Sequence, residues 1–163
     1  MNYNKALKER FAETGTWFTE SLVASSWKKA PGSFLWLYGI PGCGKTVLSS
    51  TIIEAIFHHC SNNSSLAVLY FYFDFNDAEK QRPESMLRSL IIQLSLQCIS
   101  VPQALESLYT TCTNGLRQPA YDSLLATLHQ MIGVFQESYL VIDALDASSD
   151  RNMLLANIEE ITS

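Results

Sequence analysis

Apolar residues are distributed along the chain in two ways, as short continuous runs and as stripes at helical spacing. Continuous runs at residues 34–38, 66–75 and 138–143 predict three β-strands. Strands buried on both faces of a parallel sheet lack polar alternation, and these runs fit that pattern. The run at 66–75 is rich in aromatic residues, but no basic residues interleave with them, so a buried strand is favoured over an aromatic binding platform.

Stripes at helical spacing fill the rest of the chain. Leu7 and Phe11 indicate a short amphipathic helix within residues 1–13, and a second helical stretch follows over residues 17–27. Later stripes predict helices that start near Gly44, Pro83, Pro102, Tyr121 and Arg151. Proline suits the first turn of a helix, which supports two of these starts.

The run at residues 34–38 leads directly into a segment with the spacing of a P-loop, GxxxxGK(S/T). Its glycines allow backbone N–H groups to approach phosphate oxygens, and the following helix directs its N-terminal partial positive charge at the same anion. Lys45 is expected to reach the β- and γ-phosphates, and the Thr46 hydroxyl to bind Mg²⁺. A plain glycine turn between a strand and a helix is the alternative. The predicted cofactor-binding residues are Gly39, Ile40, Pro41, Gly42, Cys43, Gly44, Lys45 and Thr46.

The run at residues 138–143 ends in an acid, Asp143. Open α/β sheets bind ligands at the carboxyl ends of their strands, so Asp143 is the predicted Walker B carboxylate. It would hold Mg²⁺ directly or through water, which makes Thr46 and Asp143 the predicted metal ligands. Asp146 is a second catalytic candidate that could orient or polarise the attacking water. An N-cap-like turn residue ahead of the last helix, Arg151 to Ile161, is an equally good interpretation of Asp146.

Alternating strands and helices around a P-loop predict an α/β fold, namely a three-layer P-loop NTPase sandwich with a mainly parallel sheet. Residues 1–32 are expected to form a helical lead-in, and residues 33–163 the P-loop domain. With 163 residues, 47% of them apolar and 17% charged, the chain can bury a proper core.

Net charge and cysteine content indicate which partners and which cellular compartment are expected. The net charge of −5 gives no general attraction to nucleic acid or to an anionic membrane. The four cysteines form no CxxC pair and no zinc-like spacing, which is typical of reduced thiols. No signal-peptide layout or membrane-spanning run is present in the sequence. These features predict a cytoplasmic protein without a nucleic-acid or membrane partner.

The chain resembles the NACHT-type STAND nucleotide triphosphatases of filamentous fungi, a group also described as nephrocystin-3-like N-terminal domains. The resemblance covers nearly the whole chain, and the P-loop with its preceding run is the most specific part. The stretches that carry it are residues 14–18, Trp27, and residues 31–49, 70–73, 87–90 and 143–146.

The resemblance implies a nucleotide-driven switch that binds ATP or ADP with Mg²⁺. Proteins of this group carry an N-terminal effector and C-terminal ankyrin, WD or TPR repeats, and fungal members are associated with non-self recognition. Such domains of the same chain, or separate proteins, are the implied partners. By the same resemblance, residues 14–17 lie near the adenine. GTP is less favoured, because no guanine-reading NKxD motif follows the P-loop.

Two departures from the family bear on catalysis and folding. The family's Walker B segment usually continues with a glutamate where this chain has Ala147, which puts hydrolysis in doubt more than binding. By comparison with the family, the sequence stops after the helix that follows Walker B. We therefore expect a fragment, or a chain completed by a partner, in which the strand between the P-loop strand and the Walker B strand is absent.

Two functions remain open from the sequence. One is an ATP-binding switch domain with slow or absent hydrolysis, and the other is a non-catalytic nucleotide-binding or structural remnant of a truncated NACHT protein. A general base typically contributes 10²–10⁴-fold in rate. The sequence therefore predicts that Ala147→Glu raises turnover by about tenfold or more.

Overall fold

The structure, a computed structural model, describes residues 14–162 apart from the side chains at 159, 160 and 162. Within that range the chain is an α/β protein with seven α-helices and a two-stranded parallel sheet. The helix predicted within residues 1–13 lies outside the described residues. In chain order the elements are α1 (Thr16–Thr19), α2 (Leu22–Lys29), α3 (Lys45–Cys60), β1 (Leu66–Tyr72), α4 (Pro83–Gln97), α5 (Gln103–Thr111), α6 (Tyr121–Ile132), β2 (Glu137–Asp143) and α7 (Arg151–Thr162).

Prolines and capping side chains mark where helices start. Pro83 occupies the first turn of α4, as predicted. The predicted helical stretch at residues 17–27 is divided in two, because the Ser21 hydroxyl accepts a hydrogen bond from the Ala24 amide at 3.1 Å and so caps α2. Two short 3₁₀ helices, Ala78–Gln81 and Leu145–Ala147, lie in the connections that follow β1 and β2.

The strands β1 and β2 pair in parallel from Leu66 opposite Glu137 to Tyr72 opposite Asp143. One face of this sheet contacts a large core, formed with side chains from α4, α6 and α7. The other face contacts a smaller core, which comprises Phe18, Ala24, Ile52, Ile56, Val68 and Tyr139. Helices on both faces give three layers, in agreement with the predicted α/β class.

The third predicted strand is not formed. Residues 34–38 have no strand pairing, and the side chains of Phe34, Trp36 and Tyr38 are 59%, 63% and 88% exposed. A strand requires a neighbour to accept and donate its backbone hydrogen bonds, and none lies beside this segment within the described residues. The prediction of a strand buried on both sides was therefore wrong for this segment.

No helix among residues 14–162 combines the length and the apolar character needed to span a bilayer. The four cysteines are all free thiols, and only Cys112 is buried. Helices α1 and α2 contribute Phe18 and Ala24 to the smaller core beside α3, so the predicted lead-in shares a core with the P-loop helix.

Candidate functional site

The P-loop turns sharply into α3 through two glycines in the left-handed region. Gly42 has φ 81°, and Gly44, which directly precedes α3, has φ 86°. A Cβ added at either position would meet no atom within 4 Å, so both glycines face open space. Glycine adopts this conformation without the steric cost that other residues incur.

Backbone donors at the start of α3 are available to a ligand. The first amide with an intrahelical partner is that of Leu48, which donates to the Gly44 carbonyl at 2.9 Å. Within the described residues, the N–H groups of Gly44, Lys45 and Thr46 contact no acceptor. Together with the helix dipole, such a cluster of amides is a site for phosphate oxygens.

Lys45 is held at the loop by the loop's own carbonyl groups. Its Nζ donates to the Gly39 carbonyl at 2.8 Å and to the Ile40 carbonyl at 3.0 Å. The same ammonium lies 3.9 Å from the Cys43 Sγ. A Cβ added at Gly39 would lie 2.8 Å from that sulfur, so the loop backbone passes close to the Cys43 side chain there. The loop thus concentrates one positive charge beside its free amides.

The P-loop helix and the acidic end of β2 meet in space. The Ser49 hydroxyl, on the second turn of α3, donates to Asp143 Oδ1 at 3.1 Å, although the two residues are 94 positions apart. Both side chains are buried at 7% exposure. The predicted Walker A and Walker B segments are therefore adjacent.

The Asp143 carboxylate has the surroundings of a cation ligand. Within residues 14–162, Ser49 is its only hydrogen-bond donor, and no basic side chain forms an ion pair with it. An uncompensated buried carboxylate is costly, and a bound cation would remove that cost. No group of three or more His, Cys, Asp or Glu side chains in this part of the chain can hold an ion alone. An ion bound there would need further oxygen ligands such as hydroxyls, carbonyls, water or phosphate, which are ligands that Mg²⁺ accepts.

The hydroxyl that contacts Asp143 belongs to Ser49 rather than to Thr46. Within the described residues Thr46 makes no side-chain hydrogen bond, and its role as a metal ligand stays a prediction. Sequence reasoning missed Ser49. Helical spacing could have pointed to it, because residues i and i+3 share one face of a helix and Ser49 follows Thr46 by three positions.

The segment after Asp143 separates the two predicted catalytic acids. Ala144 has φ 54°, an unusual conformation for a residue with a Cβ, and it ends β2 abruptly. Asp146 then lies exposed in the 3₁₀ helix Leu145–Ala147. Capping of the last helix falls to Asp150, whose Oδ1 accepts from the Met153 amide at 3.1 Å. Asp146 thus lies in a turn ahead of the last helix, as its second interpretation has it, but does not cap that helix, and its catalytic role stays a prediction.

Ala147 is not placed as a water-activating residue would need to be. Its side chain is 4% exposed and packs in the large core rather than facing the P-loop. A glutamate built there would enter the core, so the expected gain in turnover from Ala147→Glu loses its structural basis.

The segment predicted near the adenine is docked on α3. The Thr51 hydroxyl donates to the Thr14 carbonyl at 2.9 Å. Gly15 has φ 88°, and a Cβ there would lie 3.0 Å from Leu48 Cδ1, so the backbone approaches α3 closely. The Trp17 ring is 71% exposed. The adenine contact itself stays a prediction.

Two shallow clefts of about 460 and 480 Å³ lie elsewhere, at the end of the sheet where β1 begins. Their linings include Ser64 and Gln97 but no charged side chain and no predicted site residue. A phosphate ligand is bound most strongly where positive charge is present, and the P-loop offers Lys45 whereas the clefts have no charged side chain. We therefore assign the candidate site to the P-loop.

Comparison with known proteins gives one result. The family model described as "Nephrocystin 3, N-terminal" matches residues 13–163. No curated protein and no solved structure matches the chain. The match includes the P-loop, Ser49, Asp143 and both strands, so it covers the whole candidate site. The chain belongs to the nephrocystin 3 N-terminal family, a NACHT-associated family.

Proposed function

We propose that this chain is the nucleotide-binding switch domain of a STAND-type signalling protein, with ATP or ADP and Mg²⁺ as its ligands and slow or absent hydrolysis. The observation that carries the proposal is the Ser49–Asp143 hydrogen bond of 3.1 Å. It brings an acid at a strand end, without another side-chain partner among residues 14–162, against the helix that begins with free amides. Phosphate and metal chemistry need these two features side by side.

Each residue of the site has a distinct role in this proposal. The amides of Gly44, Lys45 and Thr46 would bind the phosphate oxygens, and the Lys45 ammonium would exchange loop carbonyls for the β- and γ-phosphates. The Thr46 hydroxyl and the Asp143 carboxylate would hold Mg²⁺, directly or through water. Bound Mg²⁺ supplies positive charge that neutralises the phosphates.

Hydrolysis requires a group that orients or deprotonates water, in addition to the binding residues. Asp146 is the acid available for this role, and it is exposed rather than positioned by neighbours. Slow turnover is therefore the expected behaviour of the chain. The burial of Ala147 specifically favours the second candidate function, a nucleotide-binding or structural module without turnover.

Protein partners in this proposal are effector and repeat domains, such as ankyrin, WD or TPR repeats, and the setting is fungal non-self recognition in the cytoplasm. The support is the resemblance of the P-loop segment, residues 31–49, and the membership of a NACHT-associated family.

Lys45→Ala is the test of nucleotide binding. The substitution removes a charge-assisted contact of about 1.5–3 kcal/mol and should weaken a fluorescent ATP analogue by at least about tenfold. Lys29→Ala is the matched control, because Lys29 is an exposed lysine at the end of α2 and lies outside the P-loop. Titration of the three proteins at constant salt gives the affinities. Equal affinity of the Lys45→Ala variant and the unmodified chain would contradict the P-loop function.

A further inference from the structure

We propose that Ser49 is a positioning residue for the metal. Its hydroxyl holds one oxygen of the Asp143 carboxylate by a hydrogen bond, which leaves the other oxygen for Mg²⁺ or a water bound to Mg²⁺. The proposal rests on the nucleotide-binding function above and deepens it. The interaction that carries it is the hydrogen bond from Ser49 Oγ to Asp143 Oδ1.

The hydroxyl is rigidly placed. Ser49 is followed in α3 by four residues whose side chains are also buried: Ser50, Thr51, Ile52 and Ile53. The second turn of α3 is therefore fixed against the sheet, and Ser49 can move little relative to β2. A buried donor of this kind restricts the rotation of the carboxylate that it contacts.

The carboxylate depends on this one contact for its orientation. Within residues 14–162 no other donor reaches it, and the residue that follows, Ala144, already leaves the strand conformation. Mg²⁺ demands near-octahedral geometry and tolerates misplaced ligands poorly. A carboxylate free to rotate would therefore bind the ion less well than one held by Ser49.

Thr46 and Ser49 divide two tasks along one side of α3. They are one turn apart on the same helix face, and each carries a hydroxyl. The hydroxyl of Thr46 makes no hydrogen bond within the described residues, whereas that of Ser49 is committed to Asp143. Thr46 is thus available to the ion, and Ser49 acts on the ion through Asp143.

The test compares Ser49→Ala with Ser50→Ala in the full 163-residue chain. Ser50 is the adjacent buried serine, but its hydroxyl donates within the helix to the Val47 carbonyl at 2.7 Å. Affinity for a fluorescent ADP analogue is measured in excess Mg²⁺ and in EDTA, and the ratio of the two affinities is the Mg²⁺ enhancement of binding. Loss of a partner that orients a metal ligand typically weakens the metal tenfold or more. Ser49→Ala should therefore lower the Mg²⁺ enhancement of binding by about tenfold, with unchanged affinity in EDTA, and Ser50→Ala should leave both unchanged.

Two further variants separate orientation from stability. Ser49→Thr retains the hydroxyl and should restore most of the Mg²⁺ enhancement. Ser49→Cys keeps the volume of the side chain but donates weakly, so it should behave like Ser49→Ala even if alanine lowers stability. Asp143→Asn should abolish the enhancement, and Ser49→Ala added to it should cause no additional loss.

The outcomes distinguish this proposal from the proposed function. If the unmodified chain binds neither ADP nor ATP analogues, nucleotide binding fails, and the role of Ser49 fails with it. If the chain binds with a clear Mg²⁺ enhancement that Ser49→Ala and Ser50→Ala affect equally, only the role of Ser49 is overturned. An equal loss of affinity in Mg²⁺ and EDTA would likewise overturn it, because a positioning residue for the metal acts only when the metal is present.

Discussion

The two faces of the sheet differ in how completely they are covered. On the face that contacts α4, α6 and α7, side chains such as Leu87, Leu90 and Leu128 are fully buried. On the face that contacts α3, the core has six buried members, and large apolar side chains nearby, including Trp36 and Tyr38, remain exposed. The candidate site lies on the less covered face.

This difference in coverage shows that the pairing of β1 with β2 and the placement of the P-loop depend on different parts of the molecule. The large core holds β1 and β2 together without help from residues 34–38. The P-loop leads into α3, and Ser49 of that helix contacts Asp143 at the end of β2. A ligand or partner on this face would therefore act on the less stable part of the molecule.

The largest expected effect is the contrast between Leu90→Ala and Trp36→Ala. Leu90 is 0% exposed in the large core, and its truncation should cost about 2–5 kcal/mol of unfolding free energy. Trp36 is 63% exposed, and its truncation should change the unfolding free energy by no more than about 0.5 kcal/mol. Urea denaturation of both variants measures the difference. A cost for Trp36→Ala as large as for Leu90→Ala would mean that residues 34–38 are packed in solution, and the comparison would fail.

The large core could be predicted from the sequence because its signal is local. The stripe through Met86, Leu90 and Leu94 has helical spacing, and all three side chains are fully buried as expected. The run at residues 34–38 gives an equally strong strand signal. Its structure depends on a neighbouring strand, which the residues of the run do not encode.

The next effect concerns Ala147, a member of the large core that follows Asp143 by four positions. Ala147→Glu would place a carboxyl group where the side chain is 4% exposed, at a cost of at least about 2 kcal/mol from burial of the polar group and from overpacking. We expect a lower melting temperature and no gain in ATP turnover. The control is Ala156→Glu, the same substitution at an exposed alanine of α7. A variant that stays as stable as the control and hydrolyses ATP about tenfold faster would restore the interpretation from sequence alone.

The candidate site could be predicted in part. A short motif specifies the P-loop, because phosphate binding requires glycines, Lys45 and a hydroxyl at fixed spacing. The pairing of Ser49 with Asp143 joins residues that are 94 positions apart, so no local pattern specifies it. The burial of Ala147 depends on how the 3₁₀ helix packs, which is equally non-local.

The two outer edges of the sheet also differ in how well they are covered. Along the outer edge of β1, two side-chain amides from α4 take the place of a neighbouring strand. Gln97 accepts from the Val68 amide and donates to its carbonyl, both at 2.9 Å. Gln93 does the same for Tyr70, at 3.0 and 2.8 Å. Because the two glutamines are one helical turn apart, they match alternate residues of the strand.

The outer edge of β2 has no such cover. The Phe73 amide donates to the Asp143 carbonyl at 3.1 Å, so odd-numbered residues of β2 face β1. The backbone groups of Leu140 and Ile142 therefore face outward, and no partner contacts them within the described residues. Open edges of this kind invite pairing with another chain. The structure predicts that association of the chain, where it occurs, proceeds through β2 and not through β1.

The smallest expected effect tests this difference between edges with the double substitution Gln93→Ala and Gln97→Ala. It leaves backbone groups of Val68 and Tyr70 to water, at a cost of about 1 kcal/mol, because this edge is only partly buried. The more informative result is the oligomeric state. A second open edge should convert limited association into extended association, since each chain could then pair on both sides. Ser95→Ala is the control on the same helix, because the Ser95 hydroxyl is exposed and donates to the Ile92 carbonyl at 2.8 Å. Sedimentation velocity at several concentrations compares the three proteins. If the glutamine variant sediments as the control does, the amides of Gln93 and Gln97 stabilise β1 without protecting its edge.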